Sequence, residues 1–462
     1  MIDLIFKILA FIVAISVLVA VHEFGHYYVA RRLGFRVERF SIGFGKALWR
    51  WYGKDADRVE YQVAAIPLGG YVKLLDERDT EIAPDDPELD RAFNRRPVPH
   101  RIAVLAAGPG INFLFAIFAF WVLYLIGVPD VRPLIFNVTS DSPAAAAGLR
   151  ADDMIESVDG RDVETWTAAT YAILDEIFAD GRIELTVRGA DRSLREVEID
   201  VRGRASELSE PDALFDELGI ALGPSPPAIA GQITPGGAAE AAGFLPGDTI
   251  TAIDGTPVAD FIELAERVRA RPGETAIFTL TRDRREIELS VEIASVDEAG
   301  TRVGRIGVGP ITEWPQETRD KLDALQTLQK FGPIDAGFRA VERTWDTTML
   351  TLRLIGGMLT GEVSLRSVSG PITIADYAGD YARAGLRPFL SFLGLVSISL
   401  GIFNLLPIPI LDGGQIVMQA AEWIRGGPLP ERVLLIGQQL GILFFIVIFS
   451  FVFYNDLTRV LS

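Results

Sequence analysis

Long apolar stretches alternate with charged segments along the chain and predict a membrane protein. Three stretches as long as a membrane span contain no charged residue: Ile102–Pro129, Pro388–Leu411 and Val433–Asn455. A fourth, Ile5–Ala30, qualifies when a His-Glu-His cluster near its end is counted inside it. About 20 apolar helical residues cross a hydrocarbon core of about 30 Å. We therefore predict transmembrane helices at 1–30, 101–128, 388–415 and 432–456.

The first apolar stretch has a competing interpretation as a cleaved signal peptide. It lacks a convincing small-x-small cleavage site before His22, and the polar cluster would lie at its end. A retained helix is therefore the favoured interpretation.

The charges that flank the predicted spans indicate the orientation of the chain. Six basic residues follow the first span, and Arg95, Arg96 and Arg101 precede or open the second. Since positive residues mark cytoplasmic loops, loop 31–100 is predicted to lie in the cytoplasm. The N-terminus and the segment from about 130 to 387 would then lie on the opposite side.

Composition and charge narrow the range of possible partners and metal ligands. Residues 129–310 contain 34 Asp and Glu against 17 Arg and no Lys, a net charge of −17. Such a surface repels phosphates, which argues against a nucleic-acid partner. The chain has no cysteine, so any metal site must use histidine and carboxylate ligands.

The acidic region contains an internal repeat. Ser142–Gly160 matches Gly237–Gly255 at a spacing of 95 residues, and each copy continues into a helical patch and an alternating strand. These units, 129–222 and 223–312, resemble PDZ domains in the rearranged order of bacterial proteases. The resemblance implies a groove that accepts an extended peptide or a peptide C-terminus. The alternative is a spacer or size filter that binds no peptide.

Residues 313–387 are predicted to form a linker with one amphipathic helix. Phe331–Leu359 mixes arginines with large apolar residues at helical spacing. That pattern is typical of a helix lying in the membrane interface rather than of a fifth span.

The cluster in the first span carries candidate chemistry. His22 and His26 are four residues apart, so both imidazoles project from one face of a helix. With Glu23 they form the HExxH pattern, in which two imidazoles bind zinc and the carboxylate acts as a general base. The alternative is that the histidines merely pack between helices.

A catalytic zinc site needs a third protein ligand, and two residues are candidates. His100 lies in a basic flank and fits an ordinary interfacial role equally well. Asp412 ends a charge-free run in "NLLPIPILDGG", where Pro407 and Pro409 break the helix. Because a broken helix at membrane depth lines a polar cavity, Asp412 is the better candidate.

Together, "HEFGH", "GPGINF" and "NLLPIPILDGG" resemble the motifs of the site-2 protease (M50-type) family of intramembrane zinc metalloproteases. The resemblance implies that His22, His26 and Asp412 hold one Zn²⁺ per chain, that Glu23 is the general base, and that Asn404 contacts substrate. The expected fold is a polytopic α-helical membrane protein with an inserted pair of tandem PDZ domains and a membrane-associated β hairpin.

The hairpin is expected at residues 58–77. The stretch alternates before Pro67, and Gly69-Gly70 is predicted to form its turn. In the family this loop is thought to pair with an extended substrate segment; the alternative is an ordinary cytoplasmic hairpin. The substrate-binding candidates are Ile66, Leu68, Gly69, Gly70 and Tyr71.

The resemblance also implies a substrate and a location. The substrate would be a single-span membrane protein of the anti-sigma-factor type after a first cut, or a signal-peptide remnant. The protein would lie in the bacterial inner membrane and contact lipid, with its PDZ domains in the periplasm and its active site towards the cytoplasm. Two other classes are a non-catalytic PDZ scaffold and a divalent-metal transporter, although the spans show no repeated halves.

Overall fold

The computed structural model describes residues 2–54, 57–77, 87–209, 213–298, 301–311, 313–361, 363 and 370–461. The chain divides into two compact units. The first, here called the membrane unit, consists mainly of Met1–Pro129 and Leu328–Ser462. The second, here called the sheet unit, comprises most of residues 130–327.

The helices are numbered in chain order. They are α1 (Ile2–Arg32), α2 (Val98–Ile126), α3 (Pro143–Ala146), α4 (Trp166–Ala179), α5 (Ala205–Leu208), α6 (Ala213–Leu218), α7 (Ala238–Ala242), α8 (Phe261–Arg269), α9 (Gln316–Leu325), α10 (Pro333–Thr360), α11 (Pro371–Ala384), α12 (Leu386–Leu405), α13 (Asp412–Arg425) and α14 (Glu431–Leu461). Two short 3₁₀ helices are Pro87–Arg91 and Phe93–Arg95.

The strands are numbered in the same way. They are β1 (Val37–Tyr52), β2 (Glu60–Leu74), β3 (Val128–Val131), β4 (Asn137–Val138), β5 (Met154–Val158), β6 (Arg161–Asp162), β7 (Arg182–Arg188), β8 (Leu194–Asp200), β9 (Ile220–Ala221), β10 (Thr249–Ile253), β11 (Thr256–Pro257), β12 (Thr275–Arg282), β13 (Arg285–Glu292), β14 (Ala294–Glu298), β15 (Thr301–Arg305) and β16 (Gln326–Gln329).

Four helices in the described part of the chain are long and apolar enough to cross a membrane. They contain the spans Asp3–Arg32, Val98–Ile126, Leu386–Leu405 and Arg432–Thr458. Within the predicted span 388–415, α12 ends at Leu405 and α13 begins at Asp412, so the helix is broken where Pro407 and Pro409 predict a break. The prolines between these helices lack the N–H groups that a continuous helix requires.

Helix α2 is the centre of the membrane unit, since α1, α10, α12 and α13 all pack against it. Its buried Ala116, Phe120 and Leu123 form a core with Ile398 and Ile402 of α12. Small residues allow this close packing: a Cβ at Gly394 of α12 would come within 2.8 Å of the Phe120 ring.

Strands β1 and β2 form a bent sheet in the membrane unit. Arg39–Ile42 of β1 pairs with Gly70–Lys73 of β2 on one side and with Glu60–Val63 on the other. Both strands therefore turn sharply along their length. The turns fall near Gly43 and Gly69, whose φ angles are 90° and 120°, a backbone conformation that glycine adopts without steric cost.

The hairpin predicted over 58–77 is therefore wrong in its pairing, because its two arms do not pair with each other. Its two arms each pair with β1, which lies between them. The sequence did contain the turn signal at Gly69-Gly70, but a local signal cannot show that a segment twenty residues earlier inserts between the arms.

The amphipathic helix predicted over Phe331–Leu359 corresponds to α10. Most residues of this helix are exposed or half-buried. Ala336, Ala340 and Thr344 lie on its buried side, while Phe338 and Trp345 are exposed. Helix α11 follows it and packs against α1 and α12; the sequence analysis made no separate prediction for α11.

The sheet unit contains two four-stranded sheets with matching topology. Their strand orders are β6-β5-β7-β8 and β11-β10-β12-β13. Each has its own apolar core, with Ile173 and Leu185 buried in the first and Leu264 and Phe278 in the second. Both repeated segments found in the sequence thus occupy the same place in a repeated sheet.

The two repeats differ beside their long helices. In the first, Phe215 of α6 contacts the Trp166 ring, with ring centroids 5.3 Å apart. In the second, the residue at the repeat spacing from Trp166 is Phe261, and it lines an open cavity of about 360 Å³. In the first repeat, α6 thus covers Trp166, whereas the equivalent Phe261 of the second repeat remains accessible.

Candidate metal centre

Two imidazoles of α1 and one carboxylate of α13 meet inside the membrane unit. His22 Nε2 and His26 Nε2 are 3.2 Å apart. Asp412 Oδ2 lies 3.2 Å from the first and 3.4 Å from the second. Both histidines are buried, at 8% and 9% exposure. The fold thus brings together residues separated by almost the whole chain.

The donor set fits a divalent cation such as zinc. Ligand atoms about 2.0–2.1 Å from a tetrahedral zinc ion lie about 3.3 Å from one another, which is the spacing observed among the three atoms. Asp412 Oδ2 is buried and has no hydrogen-bond partner among the described residues. A cation placed among these atoms would compensate the buried anionic oxygen.

Helix α2 fixes the orientation of both imidazoles. His26 Nδ1 lies 2.8 Å from the backbone carbonyl of Val104. Because a carbonyl can only accept, Nδ1 carries the proton and Nε2 presents its lone pair towards Asp412. Such a hydrogen bond is typical of metal-ligating histidines.

Asn112 plays the corresponding part for His22. It is fully buried, and its side-chain nitrogen lies 3.1 Å from His22 Nδ1. Its Oδ1 has no partner among the described residues. If the amide is turned over, that oxygen accepts the Nδ1 proton and leaves Nε2 free for a cation. Sequence reasoning missed Asn112, although it lies inside the quoted "GPGINF" motif.

Two glycines allow α1 and α2 to approach at the site. A Cβ at Gly108 would overlap His26 Nε2 and come within 2.9 Å of His22 Cε1. A Cβ at Gly25 would overlap the backbone carbonyl of Ala107. The imidazoles therefore occupy the space that a side chain at position 108 would fill.

Glu23 lies on α1 between the histidines and the β2 strand. It is half-buried, and a Cβ at Gly70 would come within 3.0 Å of its Cγ. The Gly70–Lys73 arm of β2 therefore passes directly beside this carboxylate. Glu23 therefore lies next to the three candidate ligand residues but does not belong to their group.

The other hairpin candidates lie around this arm. Ile66 is exposed and pairs with Phe44, and Gly69 packs against the Phe44 ring. The Tyr71 hydroxyl accepts hydrogen bonds from Arg39 and Gln62. Leu68 belongs to β2, but its side chain lies outside the described residues.

Asn404, the predicted substrate contact, and His100, the weaker candidate for the third ligand, both lie outside the cluster. Asn404, in the last turn of α12, donates from Nδ2 to the Leu400 carbonyl at 2.9 Å. His100 lies in the first turn of α2 and is not part of the His22, His26 and Asp412 group, which is the one group of this kind among the described residues.

Comparison with known proteins identifies the family. The family model described as Peptidase family M50 matches residues 10–448. The regulator of sigma-E protease RseP of Escherichia coli is 39% identical over 463 residues, which cover 99% of this chain and all of that protein. The chain belongs to peptidase family M50. It is a zinc metalloprotease, and its resemblance to the site-2 protease family is confirmed.

Other relatives agree with this assignment. A putative zinc metalloprotease of Vibrio cholerae is 37% identical over 466 residues, covering 99% of this chain and all of that protein. One from Neisseria meningitidis is 37% identical over 462 residues, covering 98% and 99%. Among solved structures, the PDZ domain of an SdrC-like protein from Listeria monocytogenes matches at a TM-score of 0.17 and 19% identity, covering 19% of this chain and 88% of that domain.

Proposed function

We propose that this M50 peptidase hydrolyses peptide bonds within transmembrane segments of single-span membrane proteins. His22, His26 and Asp412 would hold one zinc ion, and Glu23 would serve as the general base. The observation that supports this most strongly is the convergence of three ligand atoms 3.2–3.4 Å apart inside a bundle of apolar helices. Polar groups are placed at such depth for function, because burying them there is costly.

The residues of the chain have distinct tasks in this reaction. When bound, zinc supplies Lewis-acid activation of water and of the scissile carbonyl. Glu23 takes the proton from the attacking water and delivers it to the leaving amine. Val104 and Asn112 hold the imidazoles in the tautomer that donates a lone pair from Nε2.

The sheet offers a place for the substrate. A transmembrane substrate is helical, so cleavage needs a short extended segment that an existing strand can stabilise. The Gly70–Lys73 arm pairs with β1 on one side, and in the described chain no strand pairs with its other edge. We propose that substrate adds to this free edge beside Glu23, and that the substrate-binding segment Ile66–Tyr71 leads into it.

We propose that Asn404 contacts the substrate. Its amide donates to its own helix in this structure, so a change of side-chain rotamer would be needed before it could donate to the scissile carbonyl. One such donor to a developing oxyanion typically contributes about 10²–10³ in rate.

The relatives suggest the biological setting. The E. coli and Salmonella relatives are named regulators of sigma-E, so we propose an anti-sigma-factor type of substrate, already cut once outside the membrane. The protein would lie in the bacterial inner membrane. The two repeats of the sheet unit would be periplasmic PDZ domains that bind peptide C-termini or exclude uncut substrates.

The test is Glu23→Gln, assayed with a tagged single-span reporter in proteoliposomes. The carboxamide cannot accept the proton, so cleavage should fall by about 10²–10⁴-fold, the range for loss of a general base. Zinc content should be unchanged, since Glu23 is not a ligand. The control is Glu77→Gln, which alters an exposed carboxylate of the cytoplasmic loop.

A reporter cleaved normally by Glu23→Gln would rule out the proposed mechanism. A reporter that stays intact with the wild type as well would instead favour the scaffold hypothesis, because a scaffold does not need this carboxylate.

A further inference from the structure

A buried ion pair joins α2 to α13, far from the three ligand atoms. Arg101 Nη1 lies 3.0 Å from Glu422 Oε2. The two residues are 8% and 7% exposed. Charged side chains are rarely buried to this degree, because each loses its hydration and only a well-placed partner compensates for it. The pair therefore constrains how α13 lies against α2.

Both helices bear directly on the metal centre. Val104, three residues after Arg101, accepts the hydrogen bond from His26, and Asn112 of the same helix contacts His22. Helix α13 begins with Asp412. The ion pair thus connects the helix that orients the two imidazoles with the helix that carries the carboxylate.

Glu422 is held at both of its oxygens. While Oε2 accepts from Arg101, Oε1 accepts from the Leu429 backbone N–H at 3.2 Å. Its backbone carbonyl accepts from Gly426 and Gly427. Among the described residues Arg101 Nε has no hydrogen-bond partner, so the contact with Glu422 is the main compensation for this guanidinium.

The opposite end of α13 is held by backbone packing. A Cβ at Gly413 would overlap the Leu405 carbonyl, and a Cβ at Gly414 would overlap the Ile408 carbonyl. With its N-terminal turn in contact with the preceding loop and its last turn held by the ion pair, α13 is fixed at two points. Its position along and around its own axis is then determined.

We infer that Arg101 and Glu422 are positioning residues that set the Asp412 carboxylate against the two imidazoles. Glu422 lies ten residues after Asp412, a distance of about 15 Å along a helix, so it acts through the helix and not as a ligand. The inference rests on the proposed zinc site. Ligand atoms must be held within about 0.5 Å of their productive geometry, which makes zinc affinity sensitive to a shift of α13.

The experiment measures the zinc dissociation constant of the full-length protein in detergent by competition with a chelator. Glu422→Gln leaves Arg101 buried without its anionic partner and should weaken zinc binding about tenfold, the lower end of the effect of losing outer-shell support. The exchanged pair, Arg101→Glu with Glu422→Arg, restores the attraction and should recover most of the affinity. Glu77→Gln, which breaks the exposed pair with Arg95, should have no effect.

A purely structural role gives a different pattern. It would lower the thermal stability of the metal-free protein but leave the zinc affinity of the folded fraction as in the wild type, and that result would overturn the inference. Loss of affinity that the exchanged pair does not recover would also overturn it. If Glu422→Gln does not fold, Arg101→Lys, which keeps the charge but loses the planar donor, decides by the same measurement.

His22→Ala separates this inference from the proposed site. If the wild type and His22→Ala bind zinc equally, the proposed ligand set itself fails. If His22→Ala loses zinc while Glu422→Gln retains wild-type affinity, the ligand set stands and only the positioning role is wrong.

Discussion

The sheet unit and the membrane unit both bury aspartates, and they compensate these carboxylates in opposite ways. In the sheet unit, Asp248 is 2% exposed and accepts hydrogen bonds from Arg282 at 2.6 and 2.7 Å and from the Leu245 N–H. Asp153 holds the equivalent position in the first repeat and is bound by Arg195. In the membrane unit, Asp412 faces two imidazole nitrogens and has an oxygen without a hydrogen-bond partner among the described residues.

A second carboxylate of the membrane unit shows that burial alone does not explain the difference. Asp456 of α14 is also 2% exposed, yet it accepts hydrogen bonds from the N–H groups of Gly370 and Ile372 and from the Thr373 hydroxyl. It caps the first turn of α11, where backbone donors are otherwise unpaired. Among the described residues Asp412 has no comparable donors, and its environment fits the proposed role as a metal ligand.

Among the variants that test this comparison, Gly108→Ala is expected to have the largest effect. The added Cβ overlaps His26 Nε2, so an imidazole must move and the three ligand atoms can no longer converge. We expect zinc affinity to fall by about 10- to 100-fold, measured by chelator competition.

Gly110→Ala is the matched control for that substitution. It lies on the same helix, and a Cβ there meets no atom within 4 Å. Wild-type zinc affinity in both variants would show that the close approach at Gly108 is not needed for binding.

A smaller effect of a different kind is expected from Asp248→Asn. Hydrogen bonds to a charged group contribute about 1.5–3 kcal/mol, so the second repeat should lose roughly that much stability, while zinc affinity stays unchanged. The measurement is hydrogen exchange of β12 amides in the full-length protein. A loss of zinc together with unchanged β12 protection would reverse the assignment of structural and functional carboxylates.

The smallest effect is the pH dependence of that repeat. Burial raises the pKa of Asp248, but hydrogen bonds from Arg282 and the Leu245 N–H outweigh it, and the net pKa lies below the ordinary value. A lowered pKa adds stability above the unfolded-state value of about 3.9, and this stability is lost as pH falls through the folded-state pKa. The urea resistance of β12 should therefore decline below about pH 4, and by less in Asp248→Asn. Equal declines in both proteins would contradict this.

The sequence predicted the parts of the site that depend on local pattern. The spacing of His22 and His26 on one helix, and the broken helix before Asp412, both follow from rules that apply to neighbouring residues. The family resemblance implies that these three residues bind one zinc ion, which stays a prediction. The four apolar stretches likewise predicted the four long apolar helices in the described part of the chain.

The remaining features depend on contacts that no local pattern contains. Gly108 and Asn112 matter because α2 happens to pack on the imidazoles. Glu422 looks like an ordinary charge near a helix end until its distant partner, Arg101, is seen. The insertion of Arg39–Ile42 between the two arms of β2 is also a result of tertiary structure.

The most direct test of the account is the zinc content of Asp412→Ala after dialysis against a chelator, compared with the wild type. The account predicts about one zinc ion per wild-type chain and far less in the variant, because a catalytic site normally uses three protein ligands. Asp335→Ala, which removes an exposed carboxylate from the first turn of α10, should retain the wild-type content. Wild-type zinc content in Asp412→Ala would contradict the convergence of these three residues on one ion.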